Sequence, residues 1–234
     1  MTNALAVIAG GVLGTIFGKA LGARTRETVM AALSGSVMFV AVGGVIQEML
    51  KAGPDGRLTS HGAVMLVVSL ALGALLGEWM DLDEKFDRFG AWMRRVTHNE
   101  QDDRFVNAFV TASLTFCIGA MAIIGSIDDG LKGDPTILYV KSVMDFICCM
   151  LFAASLGKGA VFAAVPVFLY QGAITVGAKV CAPLFTPVAM SNLSYVGNVL
   201  IFFVGWNLIH GEKKIRVANL LPSLIVAVVF GLLS

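Results

Sequence analysis

The sequence predicts an all-α integral membrane protein, folded as a bundle of about eight transmembrane helices, seven or eight in all. Hydrophobic residues make up 57% of the 234 residues and charged residues only 14%, whereas soluble domains contain roughly 25% charged residues. The apolar residues form runs long enough to cross a hydrocarbon core about 30 Å thick. The mean hydropathy is +0.82, and no stretch is polar enough for a separate soluble domain. We therefore expect one transmembrane domain over residues 1–234.

The first apolar run, Asn3–Leu21, has no basic region before it, unlike a secretory signal, and predicts an uncleaved first span. Glycines recur in it at every fourth position and therefore share one helix face, which another helix can approach closely. These glycines are Gly10, Gly14, Gly18 and Gly22. The second run, Val29–Leu50, ends before a Gly-Pro-Asp-Gly turn at residues 53–56. The third, His61–Met80, contains LGALLG at residues 72–77, which resembles LGTIFG at residues 13–18.

A polar segment follows the third run and predicts a helix that does not span. Its apolar residues between Leu82 and Val96 fall at helical spacing among charged residues, which is typical of an amphipathic helix in the membrane interface. We expect this helix on the cytoplasmic side. A surface that docks a partner is the alternative.

Five further spans complete the predicted bundle. The fourth run is followed by SIDDGLKGDP at residues 126–135, which predicts a loop whose acids Asp128 and Asp129 are solvated or form an acidic vestibule. The stretch from Asp134 to Val180 contains the fifth and sixth runs, joined at Gly157–Gly159. The predicted runs are Phe105–Ile127, one starting near Ile137, one starting near Ala160, Leu193–Ile209, and one from Val217 to the C-terminus.

The second, fourth and seventh runs share glycine, serine and phenylalanine spacings. Gly35 and Gly43 have the separation of Gly197 and Gly205. Internal repeats are common in transporters, although glycine-rich membrane sequences also match by chance.

Asp145 is the strongest candidate for a functional residue, because an ionisable group deep in a membrane span is costly. At 1.5 Å per residue, Asp145 lies roughly 12 Å inside the fifth span and Gln171 about 16 Å inside the sixth. Lys141 lies one helical turn before Asp145. Two interpretations remain open: a cation or proton site at Asp145, or a structural ion pair with Lys141.

The sixth span offers further candidates. Pro166 removes a helical hydrogen bond and predicts a kinked or broken helix, in which Tyr170 and Gln171 lie about one turn beyond the proline. For Gln171, an interhelical hydrogen bond is the alternative to substrate binding. Ser113 and Thr115 in the fourth span are secondary candidates, since such hydroxyls more often bond to their own helix.

Several functional classes receive no support from the residues. A net charge of +1 with scattered basic residues does not indicate nucleic-acid binding. The four cysteines lack CxxC spacing, and the three histidines lack HExxH or similar spacing. No GxSxG or P-loop motif is present. We therefore expect no catalytic residues, no metal site, no cofactor and no enzymatic activity.

Four segments carry a resemblance to a known family: NALAVIAGGVLG at residues 3–14, FVTASLTFCIGAMAIIGSIDDGLKGD at 109–134, YQGAIT at 170–175 and KKIRVANLLPSLI at 213–225. With these in order along nearly the whole length, the chain resembles the YqgA/YdfK-like family of uncharacterised bacterial membrane proteins. The resemblance implies a prokaryotic inner-membrane protein, and a transport or channel role without an established substrate. It supplies no binding or catalytic residues.

Basic residues predict the orientation, because they concentrate on the cytoplasmic side. Twelve of the 17 Lys and Arg residues lie in or beside the loops after the first, third, fifth and seventh runs, and five lie on the other side. Both termini are therefore expected outside the cytoplasm. The expected partners are the lipid bilayer, a second copy of the chain in a homodimer, and a cation or small solute as substrate. A structural or regulatory membrane protein without transport is the alternative.

Reporter fusions test this orientation. A periplasmic reporter fused after Ser234, or inserted at residues 53–56, should be active at both positions, because both lie on the side with fewer basic residues. Cytoplasmic activity at either position would contradict the predicted topology.

Overall fold

The computed structural model describes residues 1–52, 57–210 and 215–233, and these ranges are predominantly helical. The predicted all-α fold is confirmed. A short hairpin, β1 (Leu50–Ala52) paired antiparallel with β2 (Leu58–Ser60), is the only sheet in the described ranges. The turn predicted at residues 53–56 lies outside the described residues. The helices are α1 Thr2–Gly18, α2 Ala23–Met49, α3 Ala63–Met80, α4 Leu82–Val96, α5 Phe105–Cys117, α6 Ala120–Lys132, α7 Thr136–Ser155, α8 Ala164–Val176, α9 Ala178–Cys181, α10 Pro187–His210 and α11 Pro222–Leu233. Short 3-10 segments are Lys158–Ala163, Ala182–Leu184 and Val217–Leu220.

The predicted apolar runs correspond to these helices in chain order. Among the described residues, five helical segments are long and apolar enough to cross a membrane: Ala23–Met49, Ala63–Met80, Thr136–Ser155, Lys158–Val176 and Pro187–His210. The fourth run forms a helix pair, α5 and α6, bent by 61°. The first and last runs form shorter apolar helices, Thr2–Gly18 and Val217–Leu233. The exact number of membrane crossings stays a prediction.

The chain divides into two compact units. Unit 1 contains Met1–Leu33 and Glu84–Lys179, and unit 2 contains Ser34–Asp83 and Val180–Ser234. The expectation of a single transmembrane domain stays a prediction.

In unit 1, the glycine face of α1 packs directly on the backbone of α7. A Cβ atom placed at Gly10 or Gly14 would overlap a backbone carbonyl of α7, and one at Gly18 would lie 2.7 Å from the Ala154 carbonyl oxygen. The glycines meet Phe146, Met150 and Ala154 in that order, so α1 and α7 run parallel. The spacing predicted that Gly22 also belongs to this face. That is wrong, because α1 ends at Gly18 and no atom lies within 4 Å of a Cβ built at Gly22.

The fourth run is broken, where the sequence predicted a continuous helix to Ile127. Helix α5 ends at Cys117, and α6 starts after Gly119, whose φ of 144° is accessible to glycine without strain. The predicted loop after Ile127 is also wrong, because α6 continues to Lys132. Asp128 and Lys132 form an i,i+4 ion pair at 2.6 Å. Gly133, with φ of 66°, then ends the helix in a left-handed conformation.

The bent pair extends from one end of unit 1 to the other. Near its start, the carbonyl of Phe105 packs against Gly159. Farther on, the Phe116 ring lies 6.0 Å from that of Phe152 in α7. After the bend, Gly125 packs on Leu138, and Gly130 packs on the backbone of Thr175 near the end of α8. These contacts follow α7 along its length in the opposite direction, which favours one broken span over a re-entrant loop.

Helix α4 has the bounds that the sequence predicted. Part of its apolar face packs inside unit 1: the Phe89 ring lies edge-on to Phe109 of α5 at 5.5 Å, and Met93 is buried. Trp92 and Val96 are exposed. The location of α4 in the cytoplasmic membrane interface stays a prediction. In that location, Trp92 and Val96 would contact lipid.

Unit 2 uses glycines in the same way. Gly73 and Gly77 of α3 pack on the backbone of Ser223 and Asn219, and Gly231 of α11 packs on Ala189 of α10. The Asn219 Oδ1 atom accepts a hydrogen bond from the Asp83 amide at 2.7 Å. The glycine-rich faces of the first and third spans are thus occupied within the chain.

The proposed internal repeats remain a prediction. The second and seventh runs are continuous helices of 27 and 24 residues, whereas the fourth is broken.

The glycine contact can be tested by adding one methyl group. We expect Gly14→Ala to lower stability by about 1–3 kcal/mol, because its Cβ would displace the α7 backbone. Thermal unfolding of the purified protein in detergent measures the change.

Gly35→Ala in α2 is the matched control, since no atom lies within 4 Å of a Cβ built there. Equal losses of stability in the two variants would contradict the packing argument.

Candidate functional site

Asp145 lies in the interior of unit 1 and pairs with Lys141. It is the tenth of the twenty residues of α7 and is 6% exposed. The Lys141 ammonium donates to Asp145 Oδ1 at 3.0 Å and lies 2.9 Å from Oδ2. Lys141 is itself only 8% exposed. The ion pair that the i,i+4 spacing offered is therefore present, and it is buried.

Asn3, which the sequence interpretation did not single out, joins this pair to the sixth span. Its Nδ2 atom donates to Asp145 Oδ2 at 2.8 Å and to Gln171 Oε1 at 3.3 Å. Asn3 is 1% exposed and Gln171 is 6% exposed. A signal for Asn3 was available in the sequence, because Asn3 lies seven and eleven residues before Gly10 and Gly14 and so shares their helix face.

These four side chains, Asn3, Lys141, Asp145 and Gln171, form one buried group, which we call the polar cluster. Three helices supply them: α1, α7 and α8. Residue counts along the two spans predicted a common depth for Asp145 and Gln171. In the structure, both side chains accept a hydrogen bond from the same Asn3 nitrogen. The ion pair gives the polar cluster a net charge near zero.

Two polar atoms of the polar cluster have no hydrogen-bond partner among the described residues. They are Asn3 Oδ1 and Gln171 Nε2, and both are buried. Swapping the oxygen and nitrogen of the Asn3 side-chain amide does not give these two atoms partners. An ionised carboxylate only accepts hydrogen bonds, so the Asn3 nitrogen has to lie beside Asp145. Leaving a buried polar group unpaired costs about 1–3 kcal/mol. The polar cluster thus keeps one free acceptor and one free donor in the interior.

The helix break of the fourth run lies beside the stretch of α7 that contains Asp145. Gly125 packs on Leu138, and Phe116 packs on Phe152, so the break falls between these two levels of α7. Asp145 is seven residues from each. The Cys117 side chain, next to the break, lies within range of the charges of Lys141 and Asp145. A helix break leaves backbone carbonyls and amides without helical partners, and such broken helices form ion sites in transporters.

The other predicted site residues are less closely connected. Tyr170 is half-buried beside Gln171. Ser113 and Thr115 donate to carbonyls of their own helix, Phe109 at 2.6 Å and Thr111 at 2.8 Å. Serine and threonine hydroxyls in membrane helices bond to their own helix more often than they bind a substrate.

Pro166 lies near the middle of the apolar segment Lys158–Val176 but close to the start of its α-helical part. It is the third residue of α8 and follows the 3-10 segment Lys158–Ala163. The change from 3-10 to α-helical backbone thus precedes the proline by two residues, and a functional kink or break at Pro166 stays a prediction.

Asp134 stabilises the start of the helix that carries Asp145. Its Oδ1 atom accepts hydrogen bonds from the Thr136 hydroxyl at 2.6 Å and the Thr136 amide at 3.0 Å. These bonds, the hydroxyl first, hold the pKa of Asp134 below its ordinary value. Among the described residues, no three His, Cys, Asp or Glu side chains are grouped so that they could hold a metal ion.

Comparisons with known proteins identify relatives along the whole chain. The profile of the family described as "Protein of unknown function (DUF554)" matches residues 1–232. The chain is 29% identical to "Uncharacterized membrane protein YdfK" of Bacillus subtilis (strain 168), over 96% of this chain and 91% of that protein. It is 30% identical to "Uncharacterized protein YqgA" of Escherichia coli (strain K12), over 96% of this chain and 92% of that protein. No solved structure matches.

The Asn3 hydrogen bond can be measured by truncation. Interhelical hydrogen bonds in membrane bundles contribute about 0.6 kcal/mol on average and about 1.7 at most. Because the acceptor here is a carboxylate, we expect Asn3→Ala to lower stability by about 1.5 kcal/mol. The midpoint of unfolding in mixed detergent micelles measures it.

Thr115→Val is the control, because it keeps the shape and removes only a hydroxyl that bonds to its own helix. A loss in Asn3→Ala no larger than in this control would contradict the importance of the contact.

Proposed function

The chain belongs to the DUF554 family, and we propose that it is a small transporter or channel for a cation or small solute, with the polar cluster of unit 1 as its intramembrane site. The observation that carries the proposal is the position of the buried Lys141–Asp145 pair in the stretch of α7 that a helix break adjoins, between Leu138 and Phe152. Charged residues inside membrane spans usually line a pathway or a water-filled cavity. Irregular backbone at that depth is tolerated in the same surroundings.

The two unpartnered atoms add support. A site that only joins helices gains stability by satisfying every polar group. Asn3 Oδ1 and Gln171 Nε2 are instead buried without protein partners among the described residues. A transported ion or solute, or its accompanying water, would satisfy them in turn.

A structural or regulatory role without transport is the second candidate, and one observation favours it. Both oxygens of Asp145 already have donors, Lys141 and Asn3. A buried pair of this kind holds helices together, and removing one partner leaves the other charge uncompensated. The two candidates therefore differ in what happens when the pair is removed as a whole.

The setting of the site is part of the proposal. It places the protein in the bacterial inner membrane with both termini outside the cytoplasm, and it includes no enzymatic activity. It also includes a homodimer. Since the glycine faces of α1 and α3 are occupied within the chain, α2 is the helix to examine as the contact, with Phe39 80% exposed and open space at Gly35 and Gly43. Lipid covers such a surface equally well.

Flux through liposomes tests the proposal. Purified protein should take up a labelled monovalent cation, with sodium or rubidium as probe, faster than empty liposomes. Asp145→Asn should abolish this uptake, because it removes the negative charge while keeping the size of the side chain. Asp128→Asn, in the exposed pair with Lys132, is the matched control and should not change uptake.

A double variant separates transport from structure. Lys141→Met with Asp145→Leu removes both charges, and replacing a buried pair by apolar residues is often neutral or stabilising. We expect this variant to fold without uptake. Equal uptake by the double variant and the wild type would eliminate the proposed site, and no uptake by the wild type would eliminate transport of these probes.

A further inference from the structure

Helix α4 lies at the end of unit 1 at which α1 and α7 end. Gly90 of α4 packs on the side chains of Val106 and Phe109, in the first turns of α5. Phe105, the first residue of α5, packs on Gly159, which closely follows the end of α7. Helix α1 runs parallel to α7 and ends beside it. The level of α4 is thus the level at which a membrane-spanning unit 1 would meet the lipid headgroups.

The outer face of α4 combines apolar and basic side chains. Trp92 and Val96 are 53% and 56% exposed. Lys85, Arg88 and Arg95 are exposed as well. Neighbouring members of this set along the helix are mostly three or four residues apart, so they share one side of it. We call these five residues the basic face; the opposite side of α4 packs inside unit 1.

Little of the charge on the basic face is neutralised by neighbouring side chains. Among the described residues, Lys85 and Arg95 form no ion pair. Arg88 pairs with Glu84, but the two side chains are 74% and 52% exposed. An exposed pair of this kind contributes little stability, so Arg88 can bind another anion in place of Glu84. Asp87 lies on the opposite side of the helix. The basic face together with Glu84 therefore has a net charge of +2.

The two ends of unit 1 differ in charge. The segments at the α4 end, residues 19–27, 84–104 and 158, contain nine basic and six acidic residues. The segments at the other end, residues 128–134 and 179, contain two basic and three acidic residues. An anionic partner is therefore favoured at the α4 end and not at the other.

The exposed indole and the arginines beside it indicate which anionic partner fits. Tryptophan is enriched at the level of the headgroups, because its ring is amphipathic. Arginine extends its charge to water while its stem covers apolar surface, and it binds phosphate with two parallel hydrogen bonds. Arg88 and Arg95 are about 10 Å apart along the helix axis. Each can bind a separate phosphate, with Trp92 between them.

On this basis we propose that the basic face binds anionic phospholipids. Arg88 and Arg95 hold the headgroup phosphates, while Trp92 and Val96 contact the acyl chains. An acidic protein surface would neutralise the same charges but gives no reason for an exposed indole at the end of the bundle. The inference goes beyond the proposed function, and it holds whether or not the protein transports anything.

Fluorescence quenching of Trp92 by brominated lipid measures this binding. The chain contains three tryptophans, and Trp79→Phe with Trp206→Phe leaves Trp92 as the only one. The full-length protein is reconstituted with phosphatidylglycerol or phosphatidylcholine, each brominated on the acyl chain close to the headgroup. Since each basic side chain near an anionic surface raises the affinity about fivefold, we expect at least about fivefold stronger association of phosphatidylglycerol. The preference should decrease when salt is raised from about 0.1 M to about 1 M.

Arg88→Gln with Arg95→Gln tests the two phosphate ligands. This variant should lose most of the preference, so that the two lipids quench Trp92 to within about twofold of each other. Lys132→Gln with Lys179→Gln is the matched control, because it removes the same charge from the other end of unit 1, and it should keep the preference.

Three outcomes would overturn the inference. The first is equal quenching by the two lipids in the protein that keeps both arginines. The second is no quenching by either lipid, the result expected of a face covered by a protein partner or by water. The third is a preference that persists without Arg88 and Arg95.

Thermal unfolding covers the case in which the tryptophan variants do not fold. In mixed micelles, phosphatidylglycerol should raise the unfolding midpoint of the wild type more than phosphatidylcholine does, because a lipid that binds the folded protein stabilises it. This difference should be at least halved in Arg88→Gln with Arg95→Gln and retained in Lys132→Gln with Lys179→Gln. Substitutions at exposed positions rarely prevent folding. Equal differences in all three proteins would overturn the proposal.

Discussion

The backbone contact between α1 and α7 is the constraint on which the rest of unit 1 depends. Lipid is as apolar as the side chains, so helices in a membrane associate through close packing and polar contacts and not through the hydrophobic effect. Glycines at every fourth position let α1 approach α7 until backbone meets backbone. This contact fixes both the rotation and the level of α1. Asn3 reaches Asp145 because the contact holds it there.

A buried charge and a broken helix each carry a cost, and unit 1 places both beside the same stretch of α7, between Leu138 and Phe152. Polar groups concentrated at one depth can satisfy one another, and the remainder of each helix is then free to face lipid. Helix α7 illustrates the division: Lys141 and Asp145 are buried on one side, while Tyr139, Val143 and Ile147 are exposed on the other. A structural ion pair alone does not require a break in a neighbouring helix, and this is the physical reason to treat the polar cluster as a site.

Local patterns in the sequence predicted the parts of this arrangement that depend on local geometry. The i,i+4 spacing of Lys141 and Asp145 predicted their pairing, and residue counts placed Gln171 at a similar depth. The Asn3 contacts could not be predicted in this way, because they span 142 and 168 residues and depend on α1 and α7 being parallel in one register. Knowing that register would have required the glycine face to be matched to its partner helix.

The break in the fourth run could not be predicted from the sequence, for a different reason. The run stays apolar through Ile118 and Gly119, and hydropathy records only length and apolarity. Gly119 is one glycine among 26, so its left-handed φ does not stand out in composition. Pro166, by contrast, gave a strong breaking signal but lies in a first helical turn, where proline is tolerated.

The parallel order of α1 and α7 also restricts how the chain threads the membrane. If two helices start on the same side of the membrane, the chain crosses the membrane an even number of times between their starts. If α1, α2 and α3 each cross and α4 does not, as the sequence predicts, the bent pair of α5 and α6 has to supply the fourth crossing. A re-entrant loop would return the chain to its starting side and make α7 antiparallel to α1. On that predicted topology, the contacts along α7 and the direction of α1 favour the same interpretation of the bent pair, as one broken span.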